Sequence, residues 1–289
     1  SRLLDQVFSA LEPVVLSLLR LSLEFEFYLG GLAFKKLAER SGLAVCLPVF
    51  DAPSSSELSS SEPSSSDPER AVTGLFNPWL LAQGKKPVPC DLARGPGKTT
   101  VIVTGPNSGG KTRFLQAISV TQLLGQIGLF VPARSAQLVW VDQLFLSLLE
   151  RTHAAQEEGR LGMELLRIRK VFETSGSSSL IVMDELCSGT NPSEGEEIFE
   201  MVLGLLEELR PQVFISTHFL DFAERIGSQK KPTLGFLQVE LGDGDVPTYQ
   251  FVPGVAKTSL AHATAGRLGV TRDELARLVV EHKRRSGRE

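Results

Sequence analysis

Cysteine is scarce in this chain and poorly placed for cross-linking. Its 289 residues hold three, Cys46, Cys90 and Cys187, odd in number and far apart. That excludes a disulfide framework and the usual spacing of a zinc site, and it suits a reducing, cytoplasmic compartment. Long uncharged apolar runs are also missing, so no membrane-crossing helix and no membrane partner are expected. The start, Ser1-Arg2-Leu3-Leu4-Asp5, has no basic segment followed by an apolar core, and is not read as a signal peptide. It lacks Met as well, which is consistent with a piece of a longer protein. Basic charge is not in excess. Lys and Arg number 30 against 34 Asp and Glu, and the net charge is −4. That is not the overall footprint of a nucleic-acid binder. The one dense basic cluster, His282-Lys283-Arg284-Arg285, reads as the solvated end of a helix.

What is present is an ordinary globular composition, 42% hydrophobic with a mean hydropathy of +0.04. Residues 2–45 read as helical: Leu16, Leu19, Leu23, Phe27, Phe34 and Leu37 keep a helical spacing, and Gly30-Gly31 is expected to break the helix. Residues 52–69 are Ser/Pro/acid low-complexity sequence, too polar to offset the entropy of ordering, and are expected to be a disordered loop. Beyond it, strands are expected at 100–104, 138–146, 179–184, 212–217, 234–241 and 247–252. Helices are expected at 111–127, 160–174, 194–209, 219–226, 259–267 and 272–285. Short apolar runs separated by helices predict a mixed, mostly parallel sheet covered on both faces, an α/β fold. The last two strands flank Gly242-Asp243-Gly244-Asp245 and predict a hairpin at a sheet edge. The expected division is a helical segment at 1–50, a loop at 51–70, an α/β domain at 71–252 and a helical segment at 253–289.

The most specific run is Gly105-Pro106-Asn107-Ser108-Gly109-Gly110-Lys111-Thr112, which fits G-x-x-x-x-G-K-[ST] at every fixed position. The apolar strand candidate before it and the helical pattern after it complete a strand, a glycine-rich turn and a helix N-terminus. Successive backbone N–H groups and the positive end of the helix dipole then face one anion. In this reading residues 105–112 cradle nucleotide phosphates, Lys111 reaches the β- and γ-phosphates, and Thr112 holds Mg²⁺.

Leu180-Ile181-Val182-Met183-Asp184-Glu185 is an apolar strand ending in two acids. In open α/β sheets the carboxyl edge is where ligands bind. Asp184 is the expected second Mg²⁺ ligand, and Glu185 is placed to orient and deprotonate a water. Phe214-Ile215-Ser216-Thr217-His218 ends at the same expected edge, with His218 as a sensor of the γ-phosphate.

Together GPNSGGKT, Phe130-Val131-Pro132-Ala133, DELCSGTNPSEG (184–195) and STHF (216–219) resemble the ATPase domain of MutS-type DNA mismatch repair proteins. GTNPSEG is closer to the family's second branch. Residues 247–256 with Ser259, Gly269 and Val270 resemble its C-terminal strand and helix-turn-helix dimerisation segment. Asn77-Pro78 resembles the dipeptide preceding its first strand, and the N-terminal helices resemble the end of its lever region. The resemblance implies a P-loop ATPase of the ABC type, a homodimer using ATP and Mg²⁺ and coupled to DNA in mismatch repair or recombination. It also implies that Ser188, Gly189 and Thr190 form a loop touching the nucleotide site across the dimer interface. Further repair proteins are expected partners. One departure stands out. The family's Ser-Thr-Phe signature is replaced by the stretch Glu158-Gly159-Arg160-Leu161-Gly162-Met163-Glu164, which carries no hydroxyl.

The residues leave two function classes open, a DNA-coupled ATPase switch and a nucleotide-gated module that grips a protein or ribosome instead. A small-molecule kinase fits less well, because Asp184, Glu185 and His218 suit water as the nucleophile.

Overall fold

The computed structural model describes residues 2–51, 71–93, 97–148, 159–260, 265–266 and 268–286. The chain divides into two compact units, one of residues 1–96 and 116–140, the other of residues 97–115 and 141–289.

The first unit opens with α1 (Arg2–Arg40), which runs unbroken through Gly30 and Gly31. The expected break is absent for a steric reason. Gly31 is buried, and a Cβ there would come within 2.9 Å of Leu129 Cδ2, so its glycine permits close packing rather than a bend. The helix stops at Gly42 (φ +72), where the Leu43 amide donates to Ala38 O and the Gly42 amide to Glu39 O, the Schellman pattern. Ala38, Leu43, Phe76 and Leu81 form a small core, with Phe34 and Val45 against it. The preceding part of α1 is solvent-facing within this chain, from Val7 and Phe8 through Leu29. Contrary to expectation, an 18-residue window within Asp5–Arg40 reaches a mean hydropathy of 1.4, long and apolar enough by length and composition to cross a membrane.

The same unit holds a four-stranded sheet ordered β1-β5-β2-β3, built from β1 (Val49–Asp51), β2 (Ala71–Leu75), β3 (Cys90–Ala93) and β5 (Ser135–Val139). Its first three strands were not expected: they are three to five residues long, too short for a clear alternation. Asn77 caps the short α2 (Pro78–Ala82), accepting from the amides of Trp79 and Leu80.

The second unit is built on six strands ordered β10-β9-β4-β8-β7-β6. They are β4 (Thr100–Thr104), β6 (Gln143–Ser147), β7 (Ser179–Met183), β8 (Gln212–Ser216), β9 (Leu234–Leu241) and β10 (Pro247–Pro253). Neighbours from β6 to β9 pair parallel, and β10 closes one edge antiparallel to β9, the hairpin expected. Every residue of β4, β7 and β8 is buried, which explains their unbroken apolar runs.

The strand expected at 138–146 is in fact two strands in two different sheets. β5 ends at Val139, and β6 starts at Gln143 after the Asp142 amide has bonded to Ser178 O. Apolar residues on both sides of Asp142-Gln143, Leu138–Val141 before and Leu144–Leu146 after, hide the change of sheet.

Helices α3 (Lys111–Gln126), α4 (Arg160–Thr174), α5 (Pro192–Leu209), α6 (Leu220–Ser228) and α7 (Arg272–Ser286) follow the expected spans within about two residues. In α5 the buried residues Phe199, Val202, Leu203 and Leu206 recur at helical spacing. They share one core with Ile168 and Val171 of α4, Phe222 and Ile226 of α6, and Ile181, Val213 and Ile215 of the sheet. Of the helix expected at 259–267, residues 259 and 260 are non-helical, 265 and 266 are helical, and the others lie outside the described residues, as does the 52–69 loop.

Candidate functional site

The glycine-rich run leaves the carboxyl end of β4 and turns directly into α3. Two of its glycines are required by crowding. Gly105 has φ +140, and a Cβ there would lie 2.6 Å from Val239 Cγ2 on the neighbouring strand β9. A Cβ on Gly109 would lie 2.9 Å from the same methyl and 3.0 Å from Pro106 O. The turn closes with the Gly109 amide on Pro106 O at 2.9 Å, and α3 begins with the Phe114 amide on Gly110 O. Lys111 is buried, and its Nζ donates to the carbonyls of Gly105 (2.8 Å) and Pro106 (3.2 Å). Burial lowers its pKa from the usual lysine value, and the charges of Glu185 and Asp184 partly restore it.

Asp184 is the hub of the site. It follows β7 directly, is almost wholly buried, and both its oxygens are engaged. Thr112 Oγ1, in the first turn of α3, donates to Oδ2 at 2.6 Å. Ser216 Oγ, the last residue of β8, donates to Oδ1. The same Ser216 oxygen accepts the Glu185 amide at 2.8 Å. This matters because Glu185 has φ +52, a left-handed conformation unfavourable for a side-chain-bearing residue. Three parallel strands, β4, β8 and β7, thus deliver the glycine loop, Ser216 and the acid pair to one edge, with β8 between the other two.

The remaining expected residues lie on the same stretch of chain with less contact. Ser188 and Gly189 follow Cys187 (φ +62) and donate to Glu164 of α4, Ser188 Oγ to Oε1 at 3.4 Å and the Gly189 amide to Oε2 at 3.2 Å. Thr190 Oγ1 bonds to Glu194 Oε2, and Asn191 caps α5 by accepting the Glu194 amide, with Pro192 opening the helix. His218 is exposed, its ring 4.3 Å from that of Phe219, and it is not among the groups bonded to Asp184.

Four residues at or beside the site carried no role in the sequence reading: Ser216, Glu164, Val239 and Tyr249. Ser216 lay inside a quoted motif, but its two bonds depend on strand order. Val239 and Tyr249 reach the glycine loop only through the sheet. Tyr249, at an irregularity in β10 with φ +61, lies against Gly110, where a Cβ would come 3.2 Å from its ring. Nearby Phe251 stacks on Phe114 at 4.0 Å.

Residues 101–276 match the family model of MutS domain V. The chain belongs to the MutS family. Among its relatives, the endonuclease MutS2 of Levilactobacillus brevis is 32% identical over 197 residues, covering 68% of this chain and 25% of the relative. The endonuclease MutS2 of Thermus thermophilus is 31% identical over 177 residues, 61% of this chain and 24% of the relative. That of Agathobacter rectalis is 30% identical over 194 residues, again 24% of the relative. The chain thus spans about a quarter of the length of the curated relatives it matches. The matched part of this MutS-family chain contains the whole set of Lys111, Thr112, Asp184, Glu185, Ser216 and His218.

Proposed function

We propose that this chain binds and hydrolyses ATP with Mg²⁺, and that it does so as a dimeric ATPase switch coupled to DNA. The observation carrying this reading is the 2.6 Å contact between Thr112 Oγ1 and Asp184 Oδ2, beside Lys111 and a glycine loop in which a Cβ at Gly105 or Gly109 would strike Val239. A hydroxyl and a carboxylate at one sheet edge are the hard oxygen donors that Mg²⁺ takes, and they fit it. When bound, Mg²⁺ supplies charge neutralisation at the phosphate oxygens.

The chain's own residues do the rest. Residues 105–112 receive the phosphates, with Lys111 exchanging the carbonyls of Gly105 and Pro106 for phosphate oxygens. Thr112 and Asp184 would hold the metal. Glu185 orients the attacking water and takes its proton, and His218 hydrogen-bonds at the γ-phosphate side. Tyr249 offers a half-exposed ring beside the phosphate loop on which a base can stack. Ser188–Thr190 would cross to a second copy, and residues 253–289 would supply the helix-turn-helix dimer contact, completing an ABC-type composite site. Because Leu161-Gly162-Met163 has no hydroxyl, turnover is expected to be slow. The family membership and the MutS2 relatives support DNA processing in a cytoplasmic setting.

The test is ATP hydrolysis by the purified chain with and without duplex, mismatched and branched DNA, beside Lys111→Ala and Glu185→Ala. DNA stimulation lost in both variants supports the reading. Turnover indifferent to every DNA favours the second reading, a module gripping a protein partner, to which the net charge of −4 is better suited.

A further inference from the structure

In the first turn of α4 the family's hydroxyl-bearing signature gives way to Leu161-Gly162-Met163, and the next residue is an acid, Glu164. Its carboxylate does not face a distant partner. It clamps the loop that follows the acid pair, accepting from Ser188 Oγ and from the Gly189 amide, one bond to each oxygen. That loop needs holding. Glu185 and Cys187 both have left-handed backbones, unfavourable for residues with side chains, so its path is imposed by contacts made elsewhere in the fold. Ser216 fixes one end through the Glu185 amide, and the Asn191 cap with the Thr190–Glu194 bond fixes the other. Glu164 holds the middle. Its charge is felt locally, since the buried Cys187 thiol is pushed up to about 12, first by burial and then by Glu164.

A backbone amide and a hydroxyl converging on one carboxylate are the donors that a phosphate oxygen would also use. We infer that Glu164 is a positioning residue that acts as an internal anion on the Ser188–Thr190 loop, so that a γ-phosphate must compete with it and the chain's preference between ATP and ADP is set there. This inference rests on the proposed nucleotide site. It gives the altered signature a consequence: α4 contributes an anion to its own loop instead of a hydroxyl to a partner's nucleotide.

The experiment measures binding of a non-hydrolysable ATP analogue and of ADP, with Mg²⁺, to the full chain. Glu164→Gln keeps an acceptor oxygen but loses the charge. It is expected to raise the ratio of ATP-analogue to ADP affinity about tenfold, the scale of one hydrogen bond to a charged group. Glu164→Ala should raise the ratio likewise, and Glu164→Asp, which keeps the charge, should leave it near the wild-type value. Hydrogen exchange at the Gly189 amide should quicken in Glu164→Ala and much less in Glu164→Gln, a readout available even if nucleotide binding is weak. A ratio unchanged or lowered in both the Gln and Ala variants overturns the inference and leaves Glu164 a structural clamp. Lys111→Ala separates the two levels: if it still binds both nucleotides as wild type does, the nucleotide-site reading itself fails.

Discussion

Ser216→Ala removes one oxygen atom and two hydrogen bonds, and both concern the acid pair. Asp184 loses the donor on Oδ1, and the Glu185 amide loses its acceptor. Ser216 is fully buried, so water does not readily replace either bond. A hydrogen bond to a charged group contributes about 1.5–3 kcal/mol, and leaving a buried amide unsatisfied costs about 1–3 kcal/mol. The two overlap at one atom and are not additive, so the expected loss is about 2–4 kcal/mol. Thr112→Val removes the other donor to the same carboxylate, from a site near the surface, and should cost about 1–2 kcal/mol. Because both hydroxyls serve one carboxylate, the double variant should deviate from the sum of the singles by more than 0.5 kcal/mol, the signature of direct coupling. The assay is urea unfolding of the four chains of the cycle, with hydrogen exchange at the Glu185 amide as the local probe. Rapid exchange at that amide in Ser216→Ala, but not in Thr112→Val, is expected. A Ser216→Ala chain as stable as wild type, with Glu185 still protected, would refute the account of how the acid pair is held.

Other outcomes follow from the same geometry. Gly109→Ala drives a methyl into Val239 and should cost about 1–3 kcal/mol in thermal unfolding, with Val239→Ala in the same chain returning part of it. Cys90 and Cys187, both buried with thiols pushed up to about 12, should resist alkylation at pH 8, while half-exposed Cys46 labels first, as mass spectrometry of a time course would show. The lowered pKa of Lys111 has a definite sign: between its folded value and the ordinary lysine value of 10.5 the unfolded chain binds more protons, so this group makes stability rise with pH in that window. Lys111→Met should therefore abolish that rise, and should not weaken the chain at neutral pH when unfolding is followed without nucleotide.

The parts of the site that were legible in the sequence are those written in consecutive residues. Gly105–Thr112 is one turn and one helix start, and Leu180–Glu185 is one strand with its end, so local pattern sufficed to find them. The parts that escaped are set by strand order. Val239 explains the glycines at 105 and 109 from β9, far along the chain, and Ser216 joins Asp184 to Glu185 because β8 lies beside β7. Glu164 was quoted only as the end of the altered signature stretch, and its role becomes visible only as the acceptor for Ser188 and Gly189. In the fold, Gly30-Gly31 was misread because a glycine pair signals a break locally, whereas the close approach of Leu129 rewards a residue without a side chain. The 138–146 run was misread because two apolar stretches, separated only by Asp142-Gln143, serve two different sheets.

The most direct test of the central claim is Mg²⁺-dependent ATP binding, measured by equilibrium dialysis of labelled nucleotide against the wild-type chain, Lys111→Ala and Asp184→Asn. The account predicts saturable binding by the wild type that collapses in Lys111→Ala and loses its Mg²⁺ dependence in Asp184→Asn. Equal binding by all three chains, or none by the wild type at millimolar ATP, would contradict it.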